Sequence, residues 1–228
     1  MVSVAQNLAQ VRSRIATACA AAGRGADEVR LLPVSKTVGS QAIREAYAAG
    51  VRMLGENRVH EALPKAEELA DTDLTWSIIG HLQTNKAPQV ARFAAELQTL
   101  DSLRLAEQLD RRLQQAGRSL DVFVQVNSSG EDRKSGLPPD EVEAFTQRLG
   151  QFTSLNVRGL MTVAIFSNDQ AQVVECFARM TAVRARLQDR DGAGWSELSM
   201  GMSGDFELAI GHGATVVRVG QAIFGSRV

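Results

Sequence analysis

The chain has 228 residues, of which 44% are hydrophobic and 22% charged, and its formal net charge is −1 at pH 7. This length supports one sizeable hydrophobic core and lies in the range in which an α/β barrel forms a single domain. The balanced charge argues against the strongly basic surface that nucleic acids or anionic membranes attract, so we expect neither as a partner.

The termini, cysteines and histidines predict a cytoplasmic protein without a metal. The amino-terminal residues are too polar for a signal peptide, and no apolar run reaches the roughly 18 residues that a membrane span needs. Cys19 and Cys176 lie far apart in helical patterns, without the spacing of a metal site or the density of a disulfide scaffold. The three histidines also lack a metal-ligand spacing.

The first elements of the chain are a helix, a strand and a second helix. Apolar residues recur at helical spacing over residues 3–22, and Gly23 then ends the helix. Residues 31–37, with the sequence LLPVSKT, are typical of a buried strand. A helix is predicted from Ser40 to residue 49, and Gly50 follows as its terminator. The chain therefore begins with a strand-helix unit behind an extra helix.

The strand-helix unit recurs along the rest of the sequence. The further predicted strands are residues 52–55, 74–79, 96–100, 120–126, 157–161, 197–200 and 215–219. The helices that follow them are predicted at residues 59–70, 88–95, 102–116, from the prolines at 138 and 139 onward, and at 169–187, 205–211 and 221–224. Eight such units predict an α/β fold, a single (β/α)8 TIM barrel with an extra N-terminal helix, formed by residues 1–228 as one domain. A doubly wound sheet is the alternative, but the first strand lacks its glycine-rich phosphate turn.

Lys36 lies at the end of the first predicted strand, where an amine has chemical uses. The chain has only four lysines, and the other three fall in helical or loop-like polar stretches. A lysine amine beside an apolar strand end can form an imine with an aldehyde. The alternative is that Lys36 extends along a barrel rim or pairs with a carboxylate such as Glu56.

In a barrel, ligand-binding groups gather where the strands end. The loops after the seventh and eighth strands contain the sequence GMSG at residues 201–204 and Gly220. Glycines let a phosphate approach backbone N–H groups closely, and Ser203 adds a hydroxyl, although such glycines can also simply form tight turns. A ligand with both an aldehyde and a phosphate would satisfy Lys36 and these loops, and pyridoxal 5'-phosphate is the candidate.

If pyridoxal phosphate is the ligand, Arg218, near the end of the eighth strand, could contact its pyridine nitrogen. A guanidinium stays charged and can only donate hydrogen bonds, so beside a pyridine nitrogen it would keep that nitrogen unprotonated. An unprotonated ring withdraws electrons weakly and is unsuited to demanding carbanion chemistry. The alternative is an arginine at the rim that pairs with Asp205 or Glu207.

Seven motifs in order resemble the pyridoxal phosphate homeostasis protein family, also called the YggS or PROSC family, over residues 4–226. They are VSKT (34–37), GENR (55–58), IGHLQTNK (79–86), KSG (134–136), RGLM (158–161), LSMGMS (198–203) and VRVG (217–220). The family is similar to the N-terminal barrel of bacterial alanine racemase, the type III PLP-binding fold, without that enzyme's second domain. The resemblance implies these cofactor contacts: an imine at Lys36, the ring hydroxyl near Asn57, the ring nitrogen facing Arg218, the phosphate at Ser203, Gly204 and Gly220, and a pocket lined by Met161 and Ser199.

The chain departs from the family pattern close to these residues. Many relatives have a threonine after the glycine of the eighth strand, where this chain has Gln221, which puts one hydroxyl contact to the phosphate in question. Val38 stands where the family often has a lysine or histidine. Neither departure changes Lys36.

The residues favour a cofactor carrier over an enzyme. Racemisation needs a second base, which in the related racemase is a tyrosine from the missing domain, and the single Tyr47 here falls on a predicted outer helix. We therefore expect a monomeric, non-catalytic protein that stores, buffers or delivers pyridoxal phosphate to apo-enzymes. The alternatives are a small pyridoxal-phosphate racemase or lyase using His81, and a Schiff-base aldolase using Lys36.

Overall fold

Eight parallel strands form a barrel with helices between them. The structure is a computed structural model that describes residues 3–225. The strands are β1 (Arg30–Pro33), β2 (Met53–Glu56), β3 (Thr75–Ile78), β4 (Glu96–Leu100), β5 (Leu120–Gln125), β6 (Leu155–Met161), β7 (Glu197–Ser199) and β8 (Val216–Val219). The α-helices are α1 (Val4–Ala21), α2 (Ser40–Ala48), α3 (Val59–Glu68), α4 (Ala87–Phe93), α5 (Leu103–Gln115), α6 (Val142–Gln147), α7 (Gln170–Asp191), α8 (Phe206–Gly211) and α9 (Gln221–Phe224). Short 3-10 helices cover Ala26–Glu28, Thr84–Lys86, Leu149–Gln151 and Ala193–Trp195.

This order of elements confirms the predicted (β/α)8 barrel with its extra N-terminal helix. One helix start was wrong, because α6 begins at Val142 and not at the prolines at 138 and 139. Those prolines lie in a turn instead, in which the Glu141 amide donates to the Pro138 carbonyl. The limits of the domain, residues 1–228, stay a prediction.

The sheet closes on itself beside Lys36. Its strand order is β1-β8-β7-β6-β5-β4-β3-β2, so β1 and β2 are its two ends. In the described part of the chain these ends are joined by a parallel bridge between Val34 and Gly55. The Ser35 amide donates to the Gly55 carbonyl over 3.0 Å. The closure therefore lies at the carboxyl ends of the strands, two residues before Lys36.

Helix α1 holds the elements that follow the last two strands. Ser3 caps it, and its buried face consists of Leu8, Val11, Ile15 and Cys19. Asn7 donates its side-chain amide to the Ile223 carbonyl in α9 over 2.9 Å. Arg14 pairs with Glu207 of α8 over 2.5 Å. The extra helix thus fixes both helices next to the predicted phosphate loops.

The alternation of side chains along each strand separates two cores. Outward-facing residues pack under the helices in an apolar layer that includes Leu54, Ile78, Leu97, Val122, Leu160, Leu198 and Val217. A smaller apolar group inside the barrel consists of Leu32, Phe123, Met161 and Val216. The same interior also holds the buried polar residues Glu96, Gln98, Ser199 and Arg218. The barrel centre is therefore partly polar, unlike the branched aliphatic layers that usually fill such barrels.

Gly159 in β6 is a position where any side chain would collide with β7. A Cβ atom at Gly159 would lie 1.9 Å from the Glu197 carbonyl oxygen, whereas one at Gly150 would meet nothing within 4 Å. We expect Gly159→Ala to lower the free energy of unfolding by about 3 kcal/mol through overpacking. Gly150→Ala, the matched control, should change it by less than about 0.5 kcal/mol. Urea unfolding measures both variants, and equal values would contradict this packing.

Candidate functional site

A cavity of about 1090 Å³ opens at the carboxyl ends of the strands. Seven of the eight predicted cofactor residues line it, namely Lys36, Asn57, Met161, Ser203, Gly204, Arg218 and Gly220. The eighth, Ser199, is buried beneath it and does not form its wall. The structure therefore gathers the predicted residues around one space, and their contacts with a cofactor stay a prediction.

Lys36 contributes its side chain to the wall of this cavity next to the closure of the barrel. Within residues 3–225, its amine makes neither a hydrogen bond nor an ion pair. The alternative pairing with Glu56 does not form, and Lys65 of α3 pairs with Oε1 of that carboxylate instead. The Lys36 amine is thus directed to the cavity without a protein partner.

Three side chains clamp the backbone on either side of the closure. Glu56 is fully buried, and its Oε1 accepts from Ser35 Oγ over 2.7 Å and from Lys65 Nζ over 2.6 Å. The same ammonium donates to the Ser35 carbonyl over 2.8 Å. Helix α3 is therefore tied to the ends of both β1 and β2. Because Ser35 precedes Lys36, this clamp also fixes where the lysine leaves the strand.

Thr37 has a strained backbone directly after Lys36. Its φ of 64° is the single positive value at a non-glycine residue among residues 3–225. The left-handed region is a genuine outlier for a β-branched residue, and such strain concentrates at functional sites. The Thr37 hydroxyl donates to the Lys36 carbonyl over 2.6 Å, which braces the turn. This turn leads the chain along the wall of the cavity, which Val38 and Gly39 also line, and into α2.

Arg218 lies buried at the floor of the cavity, with 3% of its surface exposed. Its guanidinium donates to Ser199 Oγ and to the Thr162 carbonyl, each over 2.7 Å. Burial lowers the pKa of Arg218 to about 10, while the negative charges of Asp205 and Glu96 act in the opposite direction. The guanidinium is therefore charged at neutral pH. The alternative of a rim ion pair is not formed, since in the described chain Glu207 pairs with Arg14 and Asp205 makes no ion pair with Arg218.

Sequence reasoning missed the residues beneath Arg218. Ser199 donates to Gln98 Oε1 over 2.6 Å, and Gln98 Nε2 donates to Glu96 Oε1 over 2.7 Å. Glu96 is 3% exposed, although it carries a charge. The available signal was the alternate spacing of Glu96 and Gln98 in the predicted strand, which places both side chains on the same face of the sheet.

The two predicted phosphate loops both reach the cavity. Gly201 has a φ of 94°, and a Cβ atom there would lie 2.9 Å from Phe206 Cα, so only glycine fits this turn. The backbone amides of Ser203 and Gly204 donate no hydrogen bond within the described chain. At Gly220 a Cβ atom would lie 3.0 Å from the Val34 carbonyl. Free amide donors and close backbone approach are the features that an anionic group needs.

Asn57 is held at the cavity by a close contact with the neighbouring strand end. A Cβ atom at Gly80 would lie 2.0 Å from the Asn57 carbonyl oxygen, so the two backbones touch where a side chain would otherwise stand. His81 follows Gly80 but lines a smaller cavity of about 240 Å³ with Asn127 and Lys134. The histidine is thus placed outside the wall that contains Lys36.

His81 lies beside a carboxylate at the mouth of the barrel. Its Nδ1 is 3.6 Å from Asp101 Oδ2, and burial raises the pKa of Asp101.

Over residues 3–225, no three His, Cys, Asp or Glu side chains come together as metal ligands. In the same range, none of the helices is both long and apolar enough to cross a membrane.

Comparison with known proteins identifies the family. Residues 6–228 match the family model described as alanine racemase, N-terminal domain. A pyridoxal phosphate homeostasis protein from Pseudomonas aeruginosa is 43% identical, and the match covers 100% of this chain and 97% of that protein. The protein of that name from Aquifex aeolicus is 39% identical, and the match covers 97% of this chain and 97% of that protein. The one from Escherichia coli K12 is also 39% identical, with 100% of this chain and 98% of that protein covered. The chain belongs to the pyridoxal phosphate homeostasis protein family.

Solved structures agree with this family in fold. PipY from Synechococcus elongatus, described with PLP bound, is 39% identical and has a TM-score of 0.87, with 98% of this chain and 100% of that chain covered. Alanine racemase from Streptomyces coelicolor has a TM-score of 0.75 at 18% identity, and the match covers 99% of this chain and 59% of that chain. The likeness to the racemase shows the fold alone: this chain forms the same kind of barrel as part of that enzyme.

The backbone strain at Thr37 predicts that replacing this residue by glycine increases the stability of the protein. We expect Thr37→Gly to raise the free energy of unfolding by about 1 kcal/mol, since glycine adopts a positive φ without a steric penalty. Thr37→Ala also loses the hydroxyl but keeps a Cβ atom, so it should show no such gain. Thermal and urea unfolding of the two variants test this expectation, and a gain in both or in neither would refute it.

The clamp formed by Glu56, Ser35 and Lys65 predicts a large loss of stability when Lys65 alone is replaced. Lys65→Met leaves the buried Glu56 carboxylate without a counter-charge and should lower the free energy of unfolding by about 3 kcal/mol. The double variant Glu56→Gln with Lys65→Met removes the stranded charge and should recover more than half of that loss. Urea unfolding gives both values. A loss below about 0.5 kcal/mol for Lys65→Met would show that the pair behaves as an exposed one.

Proposed function

We propose that this protein binds pyridoxal 5'-phosphate, held as an imine at Lys36, and acts in the homeostasis of this cofactor. The observation that carries the proposal is the unpartnered Lys36 amine facing a cavity that is also lined by Arg218 and by Ser203 and Gly204, whose backbone amides are free. When bound, the cofactor supplies an aldehyde carbon that reacts reversibly with amines and a pyridine ring that withdraws electrons. The names of the relatives and the PLP-bound PipY support the same cofactor.

The residues present fit the three parts of this cofactor. The amides of Ser203 and Gly204, with the backbone at Gly220, would hold the phosphate. Asn57 would lie near the ring hydroxyl. Met161 is 1% exposed and belongs to the apolar group inside the barrel, so it would give the ring a dry wall. Ser199 would contribute through Arg218, since it does not line the cavity.

Arg218 would face the ring nitrogen and limit the chemistry of the site. The guanidinium offers only donors, and because burial lowers its pKa only to about 10, it stays charged at neutral pH. A charged donor beside the ring nitrogen keeps that nitrogen unprotonated, which weakens electron withdrawal by the ring. This supports holding the cofactor more than using it for reactions at carbon.

We propose that the protein is a carrier and does not use the cofactor for catalysis. Tyr47 does not line the cavity and instead packs its ring under Arg52, 4.3 Å from the guanidinium carbon. His81 lines the smaller cavity. Neither lines the cavity that contains Lys36, which supports a site without a second base there. The proposal includes a cytoplasmic monomer that stores, buffers or delivers the cofactor to apo-enzymes.

The first test concerns Lys36. After addition of pyridoxal phosphate, the purified protein should show a visible imine band, and borohydride reduction should leave a pyridoxyl adduct on the peptide with Lys36. Lys36→Met should abolish both signals, whereas Lys86→Met, which changes a lysine outside the cavity, should keep them. A colourless protein, or an adduct on another lysine, would overturn the proposed site.

A second measurement separates a carrier from an enzyme. The loaded protein should activate an apo-enzyme that depends on pyridoxal phosphate, and Lys36→Met should fail to do so. Racemisation, elimination and aldol cleavage should stay below about 10⁻² s⁻¹ with amino acids or sugar phosphates as substrates, well under ordinary enzymatic rates. Turnover at ordinary rates would contradict the carrier and favour the racemase, lyase or aldolase alternatives.

A further inference from the structure

A continuous chain of hydrogen bonds runs from Arg218 through the barrel interior to Glu96. Arg218 donates to Ser199 Oγ over 2.7 Å, Ser199 donates to Gln98 Oε1 over 2.6 Å, and Gln98 Nε2 donates to Glu96 Oε1 over 2.7 Å. Each of these four residues is at least 97% buried. The chain links the floor of the cavity to a carboxylate deeper in the barrel.

The direction of every bond in this chain is determined by chemistry. A guanidinium only donates, so Ser199 accepts from Arg218 and its single proton goes to Gln98. An ionised carboxylate only accepts, so the amide nitrogen of Gln98 must face Glu96 and its oxygen must face Ser199. A reversed amide would set two acceptors against each other at the carboxylate. The negative charge of Glu96 therefore determines the orientation of the hydroxyl that holds Arg218.

The far end of the chain is itself fixed. Glu96 Oε2 accepts from Arg30 over 2.7 Å, and Arg30 also lies 3.6 Å from Glu197. Ser77 donates to Glu96 Oε1 over 2.6 Å, the same oxygen that Gln98 uses. The carboxylate is thus held from three sides, and it acts on Arg218 as a stabilising charge.

Such an arrangement is not what stability alone would select. Buried charges and their partners are often replaced by apolar residues with no loss of stability, and the same interior already accommodates Leu32, Phe123 and Val216. The polar chain ends at Arg218, a cation that lines the cavity. We therefore look for the function of this hydrogen-bond chain in the positioning of Arg218.

We propose that Gln98 and Glu96 are positioning residues that hold Arg218 against the ring nitrogen of the bound cofactor, an inference that rests on the proposed function. Neither residue touches the cavity. They act through Ser199, which fixes one end of the guanidinium while the Thr162 carbonyl fixes another. Without this chain, Arg218 would keep its charge and its contact with the Thr162 carbonyl but lose the second contact that fixes its direction.

The test compares Gln98→Met, Ser199→Ala and Ser77→Ala. The first two break the chain, while Ser77→Ala removes a hydrogen bond to the same Glu96 oxygen without touching the path to Arg218. Equilibrium dialysis gives the affinity of each protein for pyridoxal phosphate and for its analogue with C–H in place of the ring nitrogen. Far-UV circular dichroism verifies that each variant is folded, and Ser199→Ala, the smaller change, carries the test if Gln98→Met does not fold.

We expect Gln98→Met and Ser199→Ala to weaken binding of pyridoxal phosphate about tenfold, the value of one charge-assisted hydrogen bond, and Ser77→Ala to change it less than about twofold. For the analogue without the ring nitrogen, all three variants should match the parent protein within about twofold. A merely structural role would weaken both ligands alike. That result, or equal losses in Ser77→Ala, overturns the inference while leaving the cofactor site intact. A parent protein without the Lys36 imine band would overturn the proposed function, and the inference with it.

Discussion

The buried contact between Lys65 and Glu56 is the constraint on which the site depends. A barrel of eight strands must join the two edges of its sheet, which here are β1 and β2, and within residues 3–225 that junction is short, with one bridge between Val34 and Gly55. The ion pair strengthens the junction from outside the barrel by tying helix α3 to Ser35 and to the end of β2. Because both partners are removed from water, their attraction is weakly screened. Lys36 emerges next to this fixed point, so its amine starts from a defined position.

Three independent supports then converge on one cavity. The junction of β1 and β2 supplies the lysine, the interior chain below β8 supplies the guanidinium, and helix α1 braces the helices that carry the loops of Ser203 and Gly220. The Lys65–Glu56 pair, the chain from Ser199 to Glu96 and helix α1 all lie outside the cavity wall. A site whose walls are held from behind is preorganised for its ligand, which suits the proposed cofactor carrier.

Much of this organisation could be predicted from the sequence. Apolar runs followed by polar residues located the strands, and the scarcity of lysine singled out Lys36. The strained φ of Thr37 could not be predicted, because a β-branched residue favours extended backbone and the tertiary contacts decide otherwise. The bond between Ser199 and Gln98 joins residues 101 positions apart, so no local pattern reveals it. Pairing of Glu56 with Lys65 instead of Lys36 likewise depends on where α3 lies against the closed barrel.

The polar interior of the barrel has a consequence for protein engineering. A designer who seeks heat tolerance would replace Glu96, Gln98 and Ser199 by aliphatic side chains, as in the well-packed centres of other barrels. That repacking would give a more stable barrel in which the Arg218 guanidinium no longer had the Ser199 hydroxyl to orient it. Heat adaptation in this architecture is therefore better directed at the apolar layer beneath the helices, which can be improved without changing what the barrel holds.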